Sequence, residues 1–231
     1  MASGDTQLIS QTEEHWKKRW EEGSTPWHRD AVDAYLQKYI QLLTGERPTA
    51  SILVTLCGKT LDLPWLCEQG YKVTGVEISE QAGKQLFEEN DIPYSVSVDG
   101  DFKVFCARNQ TLTFYAGDFF KLSPDLDGSF DAIWDMNALG AVNPEDRTRY
   151  VAKLRSLLKV DGTILMSAYE YNQAEHRTCP FSIPNSLVKE LFQDYFDITL
   201  LENIDYTDTI FTKKFSLSWG KRLIHFLKKK N

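Results

Sequence analysis

The sequence predicts an α/β fold with a doubly wound, mostly parallel, seven-stranded sheet whose last strand is antiparallel. Short apolar runs alternate with segments of helical periodicity along most of the chain. Strands that alternate with helices in this way form right-handed βαβ units, and their strands are parallel. The two apolar runs nearest the C-terminus have no clear helical pattern between them. Neighbouring strands without a crossover helix pair antiparallel, which accounts for the exception.

The first part of the chain contains two predicted helices. Ser10 and Glu13 have the spacing of a capping box, and they precede Trp16 and Trp20, which are one helical turn apart. A stripe of apolar residues with a period of 3.6 predicts a second helix over 30–43. Both helices come before the first apolar run of strand type.

The rest of the chain alternates between predicted strands and helices. The first apolar run is short and continuous, which is typical of a buried parallel strand. The predicted strands are 51–56, 71–76, 111–115, 130–134, 163–169, 197–204 and 211–226. Four helices are predicted between these strands. The first ends near Gln69, and the second spans 80–89 after Ser79. The third follows Asn143-Pro144, and the fourth begins at Asn185.

The composition fits one globular domain over residues 1–231. Hydrophobic residues make up 42% of the chain and charged residues 26%, which is ordinary globular usage. The 26 basic and 33 acidic side chains give a formal net charge of −7. A net negative chain argues against nucleic acid and against an anionic membrane as partners. The expected partner is a small molecule, and the expected state is a monomer.

The cysteines and the N-terminal residues predict a cytoplasmic location. Cys57, Cys67, Cys106 and Cys179 form no CxxC pair, and histidine is too sparse for a zinc pattern. We therefore expect four reduced thiols and no metal. The N-terminal residues lack the basic and apolar regions of a signal peptide. No stretch approaches the roughly 20 apolar residues that a membrane span needs.

In a doubly wound sheet the ligand binds beyond the carboxyl ends of the strands, where the strand order reverses. Two phosphate-binding motifs fail at the end of the first predicted strand. Gly58-Lys59-Thr60 ends like a P-loop, but Leu53 stands where that motif has its first glycine. Gly58 is also the only glycine of this turn, whereas the dinucleotide fingerprint has three. The ligand is therefore predicted to lack a phosphate group.

Acidic residues at two strand ends indicate a nucleoside. Glu77 stands about 20 residues after Gly58, where an acidic residue accepts hydrogen bonds from ribose hydroxyls. Asp118 can accept a hydrogen bond from an adenine amino group, and Phe119 can pack on the base. The alternatives are a solvated Glu77 that opens a helix, an Asp118 that caps a turn, and a Phe119 in the core. A nucleoside without a phosphate predicts S-adenosylmethionine (AdoMet) as the cofactor.

Several segments resemble the thiopurine S-methyltransferase family, and together they cover nearly the whole chain. They are Leu56-Cys57-Gly58-Lys59, Gly75-Val76-Glu77-Ile78-Ser79-Glu80, Trp134-Asp135 with Ala138-Leu139, Asn143-Pro144-Glu145-Asp146-Arg147, Pro180-Phe181 and Ser218-Trp219-Gly220. Residues 1–29, with Trp16, Trp20 and Gly23…Trp27-His28, resemble the family's cofactor-covering segment. The resemblance implies a class I, Rossmann-like methyltransferase fold and methyl transfer to the sulfur of aromatic or heterocyclic thiols.

The resemblance also implies the site residues. AdoMet contacts are expected at Trp16, Trp20, Leu56, Cys57, Gly58, Glu77, Asp118, Phe119, Asp135 and Met136. Trp27 and His28 are expected near the substrate. The family usually has arginine at position 136, where it is associated with the cofactor and with acidic substrates. Met136 therefore predicts a preference for neutral thiols, and the region near Phe215 offers only the adjacent Lys213 and Lys214 as cations.

Methyl transfer from a sulfonium is an in-line displacement by a thiolate, and many heteroaryl thiols ionise near neutral pH. The protein's main task is to hold sulfur and methyl about 3–3.5 Å apart and in line, without water. No catalytic base is assigned, although His28 and Asp135 are candidates. Two alternatives stay open, because fold does not fix function. One is an AdoMet-binding regulatory module, and the other is a halide or small-thiol methyltransferase.

Overall fold

A mixed β-sheet forms the centre of the computed structural model, which describes residues 8–230. Residues 1–7 of the expected covering segment, and residue 231, lie outside the described residues. Within residues 8–230 the sheet has nine strands, in the order β3-β4-β5-β2-β1-β6-β7-β9-β8. Their bounds are β1 Ser51–Thr55, β2 Lys72–Glu77, β3 Tyr94–Asp99, β4 Phe102–Ala107, β5 Leu112–Ala116, β6 Phe130–Met136, β7 Leu158–Glu170, β8 Phe196–Asp205 and β9 Lys221–Lys229.

The prediction of an α/β fold is confirmed, but the predictions of seven strands and of a mostly parallel sheet are wrong. Strands β5, β2, β1, β6 and β7 pair in parallel, as expected. Strand β9 is antiparallel to both β7 and β8, which agrees with the expected exception. A hairpin of β3 and β4 adds two antiparallel strands beside β5. In the described chain, four of the eight neighbouring strand pairs are therefore antiparallel.

The hairpin was missed because its outer strand has no apolar run. Five of the six residues of β3 are exposed, as an edge strand allows. Its valines alternate with serines, and Val96 and Val98 face solvent. A two-residue loop, Gly100 and Asp101, joins β3 to β4, and Gly100 has a φ of +56°, which suits a tight hairpin.

The last predicted strand, 211–226, is wrong over its first half. Residues Ile210–Phe215 form a short helix, and β9 begins only at Lys221. The helix ends at Ser216, whose φ of +53° is left-handed. Left-handed backbone at this position is a common helix stop.

Eight α-helices lie within residues 8–230. They are α1 Glu13–Glu21, α2 Ala34–Thr44, α3 Asp62–Glu68, α4 Glu80–Glu89, α5 Ala138–Ala141, α6 Arg147–Leu157, α7 Asn185–Phe192 and α8 Ile210–Phe215. Ser79 caps α4 as predicted, since its side chain accepts a hydrogen bond from Ala82 N at 3.3 Å. Thr12, not Ser10, caps α1, and Ser10 Oγ instead donates to Glu145 Oε1 at 2.6 Å.

Helices cover both faces of the sheet, and each face has its own core. On one face, Trp20 of α1 packs with apolar residues of α2, α3 and α4. On the other face, the apolar sides of α5, α6 and α7 pack against the sheet. This arrangement leaves the carboxyl ends of β1, β2, β5 and β6 at one edge, where ligands of doubly wound folds bind. No helix among residues 8–230 is both long and apolar enough to cross a membrane.

Candidate active site

The carboxylate of Glu77 holds the turn that follows β1. Gly58 N donates to Glu77 Oε2 at 3.0 Å, and Ser79 N donates to Oε1 at 3.3 Å. Burial raises the pKa of Glu77, and these backbone donors act against that rise by stabilising the anion. Leu56 and Gly58 have φ values of +44° and +55°, so the chain turns sharply here. The turn brings the backbone after β1 directly against the end of β2.

Trp20 lies over this turn. A Cβ atom built on Gly58 would lie 3.2 Å from Trp20 Cζ2 and 3.9 Å from Trp27 Nε1, so glycine permits this close approach. Trp16 and Trp20 both make edge-to-face contacts with Trp27, with ring centroids 5.4 and 6.1 Å apart. We refer to Trp16, Trp20 and Trp27 as the tryptophan cluster.

A narrow pocket of about 20 Å³ lies at this turn. Its lining residues are Trp20, Trp27, His28, Arg29, Cys57, Gly58, Lys59, Thr60 and Met136. Six of the expected site residues are therefore neighbours in this pocket, namely Trp20, Trp27, His28, Cys57, Gly58 and Met136. Small-molecule sites usually measure roughly 300–1,000 Å³. A cofactor of AdoMet's size therefore requires a wider pocket than the one in this conformation.

Arg29, Lys59 and Thr60 line the pocket but were not among the predicted site residues. Lys59 and Thr60 belong to the failed P-loop match, and Lys59 also belongs to a segment that resembles the family, but neither was assigned a contact, although both follow Gly58 at a strand end. Arg29 directly follows Trp27-His28, and this adjacency was the available signal. Its placement depends on distant partners, which the sequence did not reveal.

Asp118 and Phe119 follow β5 at the same edge of the sheet. Gly117 N donates to the Glu77 backbone oxygen at 2.8 Å, which fixes this turn beside β2. Asp118 Oδ1 accepts a hydrogen bond from Phe120 N at 2.9 Å. The Phe119 ring is buried, 5.1 Å from the ring of Tyr150. Neither residue lines the pocket, and their contacts are those of a turn cap and a core residue.

Asp135 precedes Met136 on β6 but points away from the pocket. It is fully buried, and its Oδ1 accepts hydrogen bonds from Ala138 N at 2.8 Å and Leu139 N at 3.2 Å. Tyr150 Oη donates to Oδ2 at 3.0 Å. Burial raises the pKa of Asp135 to about 6. The side chain fixes the start of α5 and does not line the pocket.

Burial favours the uncharged forms of two further pocket residues, His28 and Cys57. Burial, and then the nearby Lys59, lower the pKa of His28, so its neutral form is favoured at pH 7. Burial raises the pKa of Cys57, which stays a thiol. All four cysteines of the chain lie within the described residues and are free.

The sheet has the fold of class I AdoMet-dependent methyltransferases, and an acidic residue ends β2 beside a turn without a phosphate-binding glycine pattern. Solved structures support this class at the level of the fold. A Burkholderia thailandensis 1,6-didemethyltoxoflavin-N1-methyltransferase with bound S-adenosylhomocysteine has a TM-score of 0.65 and 19% identity, covering 95% of this chain and 87% of its own. The N-methyltransferase NodS from Bradyrhizobium japonicum has a TM-score of 0.66 and 11% identity, covering 93% and 98%.

The family model of thiopurine S-methyltransferase (TPMT) matches residues 11–230, and the chain belongs to this family. Thiopurine S-methyltransferase of Pseudomonas aeruginosa is 37% identical, over 82% of this chain and 86% of the relative. A probable thiopurine S-methyltransferase of Danio rerio is 34% identical, over 82% and 83%. Family membership confirms the predicted AdoMet-dependent S-methyltransferase activity and its cofactor.

Proposed function

We propose that the turn after β1, together with Glu77, holds AdoMet. Two features of this structure fit that cofactor. Glu77 is a buried carboxylate whose oxygens can also accept hydrogen bonds from ribose hydroxyls, beside those from Gly58 N and Ser79 N. Gly58 has no side chain on the pocket side, so a ligand can approach its backbone where Trp20 now lies. When bound, AdoMet supplies an electrophilic methyl group.

Replacing Glu77 by alanine should weaken AdoMet binding by about 1.5–3 kcal/mol, or roughly 10- to 150-fold in Kd, because hydrogen bonds to a charged group are lost. Isothermal titration calorimetry on folded protein measures this change. Glu80→Ala is the matched control, because Glu80 pairs with Lys103 at 2.6 Å outside the pocket. Unchanged affinity in folded Glu77→Ala would remove Glu77 from the site.

The other residues expected to contact the cofactor would do so in different ways. Asp118 keeps one carboxylate oxygen, Oδ2, free of the turn hydrogen bond, so it can face the adenine amino group. A contact from Phe119 would come from its backbone, because its ring is in the core. Asp135 would act indirectly, by fixing α5 after Met136. Leu56 and Cys57 belong to the turn itself.

We assign the covering role to the segment up to residue 29. Its described start is tied to the body of the protein, since Gln11 N donates to Asn143 Oδ1 at 2.8 Å and Asn143 Nδ2 donates to Gln11 O at 2.9 Å. The tryptophan cluster then lies over the pocket. A cover of this kind excludes water and commits the substrate to reaction.

The proposed acceptor is a neutral aromatic or heterocyclic thiol. The observation that carries this proposal is that Met136 and Trp27 line the same pocket as Gly58, so apolar surface lies beside the cofactor turn. An aromatic acceptor can pack on such surface, and its thiolate needs no strong base. For an acceptor that arrives protonated, the neutral imidazole of His28 is the proposed proton acceptor in this pocket.

A product assay tests the proposed function. Labelled AdoMet is incubated with a panel of thiols, amines and phenols, and methylated products are identified by mass spectrometry. S-methylated aryl thiols are expected. An AdoMet-binding regulatory module would give no product with any thiol, and a small-thiol or halide enzyme would give products only from small nucleophiles.

Met136→Arg should raise the ratio of kcat/KM for mercaptobenzoic acid to that for thiophenol by about tenfold. Arginine offers a planar cationic fork for the carboxylate, which corresponds to about 1.4 kcal/mol of charge-assisted bonding. Steady-state kinetics of both acceptors provide the ratio, and Met136→Leu serves as an uncharged control.

An unchanged ratio in a Met136→Arg variant that binds AdoMet normally would show that position 136 does not sense substrate charge. Lys214 would then be the next candidate. It lies on α8, and its Nζ is 3.4 Å from the Pro26 carbonyl oxygen, next to Trp27.

We further propose that the chain acts as a cytoplasmic monomer. The four free cysteines support a reducing compartment. The net charge of −7 argues against nucleic acid and anionic membranes as partners. Light scattering of the purified protein tests the monomer.

A further inference from the structure

Three basic side chains line the pocket, and they differ in the availability of their charge. Lys59 Nζ is bound to both carboxylate oxygens of Glu89, at 2.6 and 2.7 Å. His28 favours its neutral form at pH 7. Among the described pocket residues, Arg29 is thus the cation left to meet a charged ligand.

The guanidinium of Arg29 is held in place without being neutralised. Nη2 donates to the hydroxyl of Tyr169 at 2.5 Å, and Nη1 lies 3.4 Å from Asp33 Oδ2. The same Asp33 oxygen accepts a closer hydrogen bond from Arg222, a buried side chain that also donates to Ser167. Two guanidinium groups therefore share one carboxylate, which leaves positive charge on the outer one, Arg29.

A second buried carboxyl group, Asp62, does not change this balance. Its oxygens accept hydrogen bonds from Asp33 N at 2.8 Å and Trp134 Nε1 at 2.7 Å, not from either arginine. Burial raises the pKa of Asp62, and these hydrogen bonds act against that rise. The side chain of Arg29 is 38% exposed, so its free edge can face the pocket.

We propose that Arg29 binds the carboxylate of the amino-acid end of AdoMet. This inference rests on the proposed cofactor site. Arg29 and Gly58 line one pocket, and Gly58 is hydrogen-bonded to Glu77, the proposed ribose partner. The amino-acid chain of AdoMet extends from its ribose, so it enters the pocket that Arg29 lines. A guanidinium fork matches a carboxylate in charge and geometry.

The position of Arg29 also explains how the pocket functions with methionine at position 136. Arg29 comes from the segment between α1 and α2, whereas Met136 ends β6, so the two side chains reach the pocket from different elements. The guanidinium of Arg29 binds the carboxylate of the cofactor, and Met136 offers an apolar surface to the acceptor. The neutral acceptor and the charged cofactor are then recognised by separate residues.

Calorimetry with AdoMet and decarboxylated AdoMet tests this inference, because the two ligands differ only in the carboxylate. In the wild type, AdoMet should bind more tightly. Arg29→Gln should weaken AdoMet binding at least tenfold and change binding of decarboxylated AdoMet less than twofold. Arg29→Lys, which keeps the charge but not the fork, should be intermediate. Arg47→Gln is the matched control, since Arg47 pairs with Asp131 outside the pocket.

Three outcomes would overturn the inference. Equal loss of both ligands in folded Arg29→Gln would show that Arg29 only supports the pocket. Unchanged AdoMet binding, together with a higher KM for mercaptobenzoic acid but not for thiophenol, would assign the carboxylate to the acceptor. A wild type that binds neither ligand would overturn the proposed cofactor site itself, and with it the role of Arg29.

Discussion

Replacing Trp20 by alanine is expected to lower the free energy of unfolding by about 3–5 kcal/mol, the usual cost of truncating a buried aromatic side chain. Trp20 is 2% exposed and packs in the core cluster that includes Leu36 and Leu63. Its loss leaves a cavity between α1 and the rest of the core. Urea denaturation followed by far-ultraviolet circular dichroism measures the change.

Trp27→Ala is the matched control, because Trp27 lines the same pocket but is 38% exposed. It should cost less than about 1.5 kcal/mol of stability while lowering kcat/KM for aryl thiols. Similar stability losses in the two variants would contradict the division of roles. Deleting residues 1–28 would remove both tryptophans at once, so point variants separate packing from covering.

The free energy of unfolding of Asp135→Asn, relative to that of the wild type, is expected to rise by about 3 kcal/mol as the pH increases from about 4 to above 6. In the unfolded chain an aspartate has a pKa near 4, whereas burial raises the pKa of Asp135 to about 6 in the folded protein. Between these values the folded state binds the proton and the unfolded state does not. The wild type therefore loses stability over this window as the pH rises, and asparagine carries no charge to bury.

Denaturation of both proteins at pH 4, 5, 6 and 7 gives the difference. Asp131→Asn is the control, because its stability relative to the wild type should fall, not rise, as the pH increases. Burial raises the pKa of Asp131, but hydrogen bonds from Ser51 and Lys159 outweigh it and lower the pKa overall. That carboxylate stabilises the fold more as the pH rises. A pH-independent difference for Asp135→Asn would show that Asp135 has the same pKa in both states.

The parallel strands were predicted correctly because a run of neighbouring apolar residues marks each of them. Gly58 and Glu77 follow two of these runs directly, so the strand-end rule selects them as candidate site residues, and a hydrogen bond joins them in the structure. The missed hairpin lies at a sheet edge, where no buried run marks a strand. The false strand at 211–226 contains enough apolar residues to resemble one, but its first half forms α8.

The predicted site was less complete because side-chain direction and distant contacts are not visible locally. Successive strand residues point to opposite faces, so Met136 reaches the pocket while Asp135 enters the core. Arg29 is positioned by Tyr169 of β7 and by Asp33, and Arg222 of β9 binds the same carboxylate oxygen. Only the folded sheet brings Tyr169 and Arg222 close to Arg29.

Because Trp20 lies against Gly58, the measured affinity for the cofactor combines the free energy of the ligand's contacts with the cost of displacing this side chain. A ligand that approaches Gly58 from the pocket side has to displace the Trp20 ring, which lies against this glycine. The apparent Kd then equals the intrinsic Kd divided by the fraction of molecules in which the ring is displaced. Each 1.4 kcal/mol that displacement costs thus weakens the measured affinity tenfold. Substitutions in the tryptophan cluster are therefore expected to change this fraction as well as the contacts with the ligand.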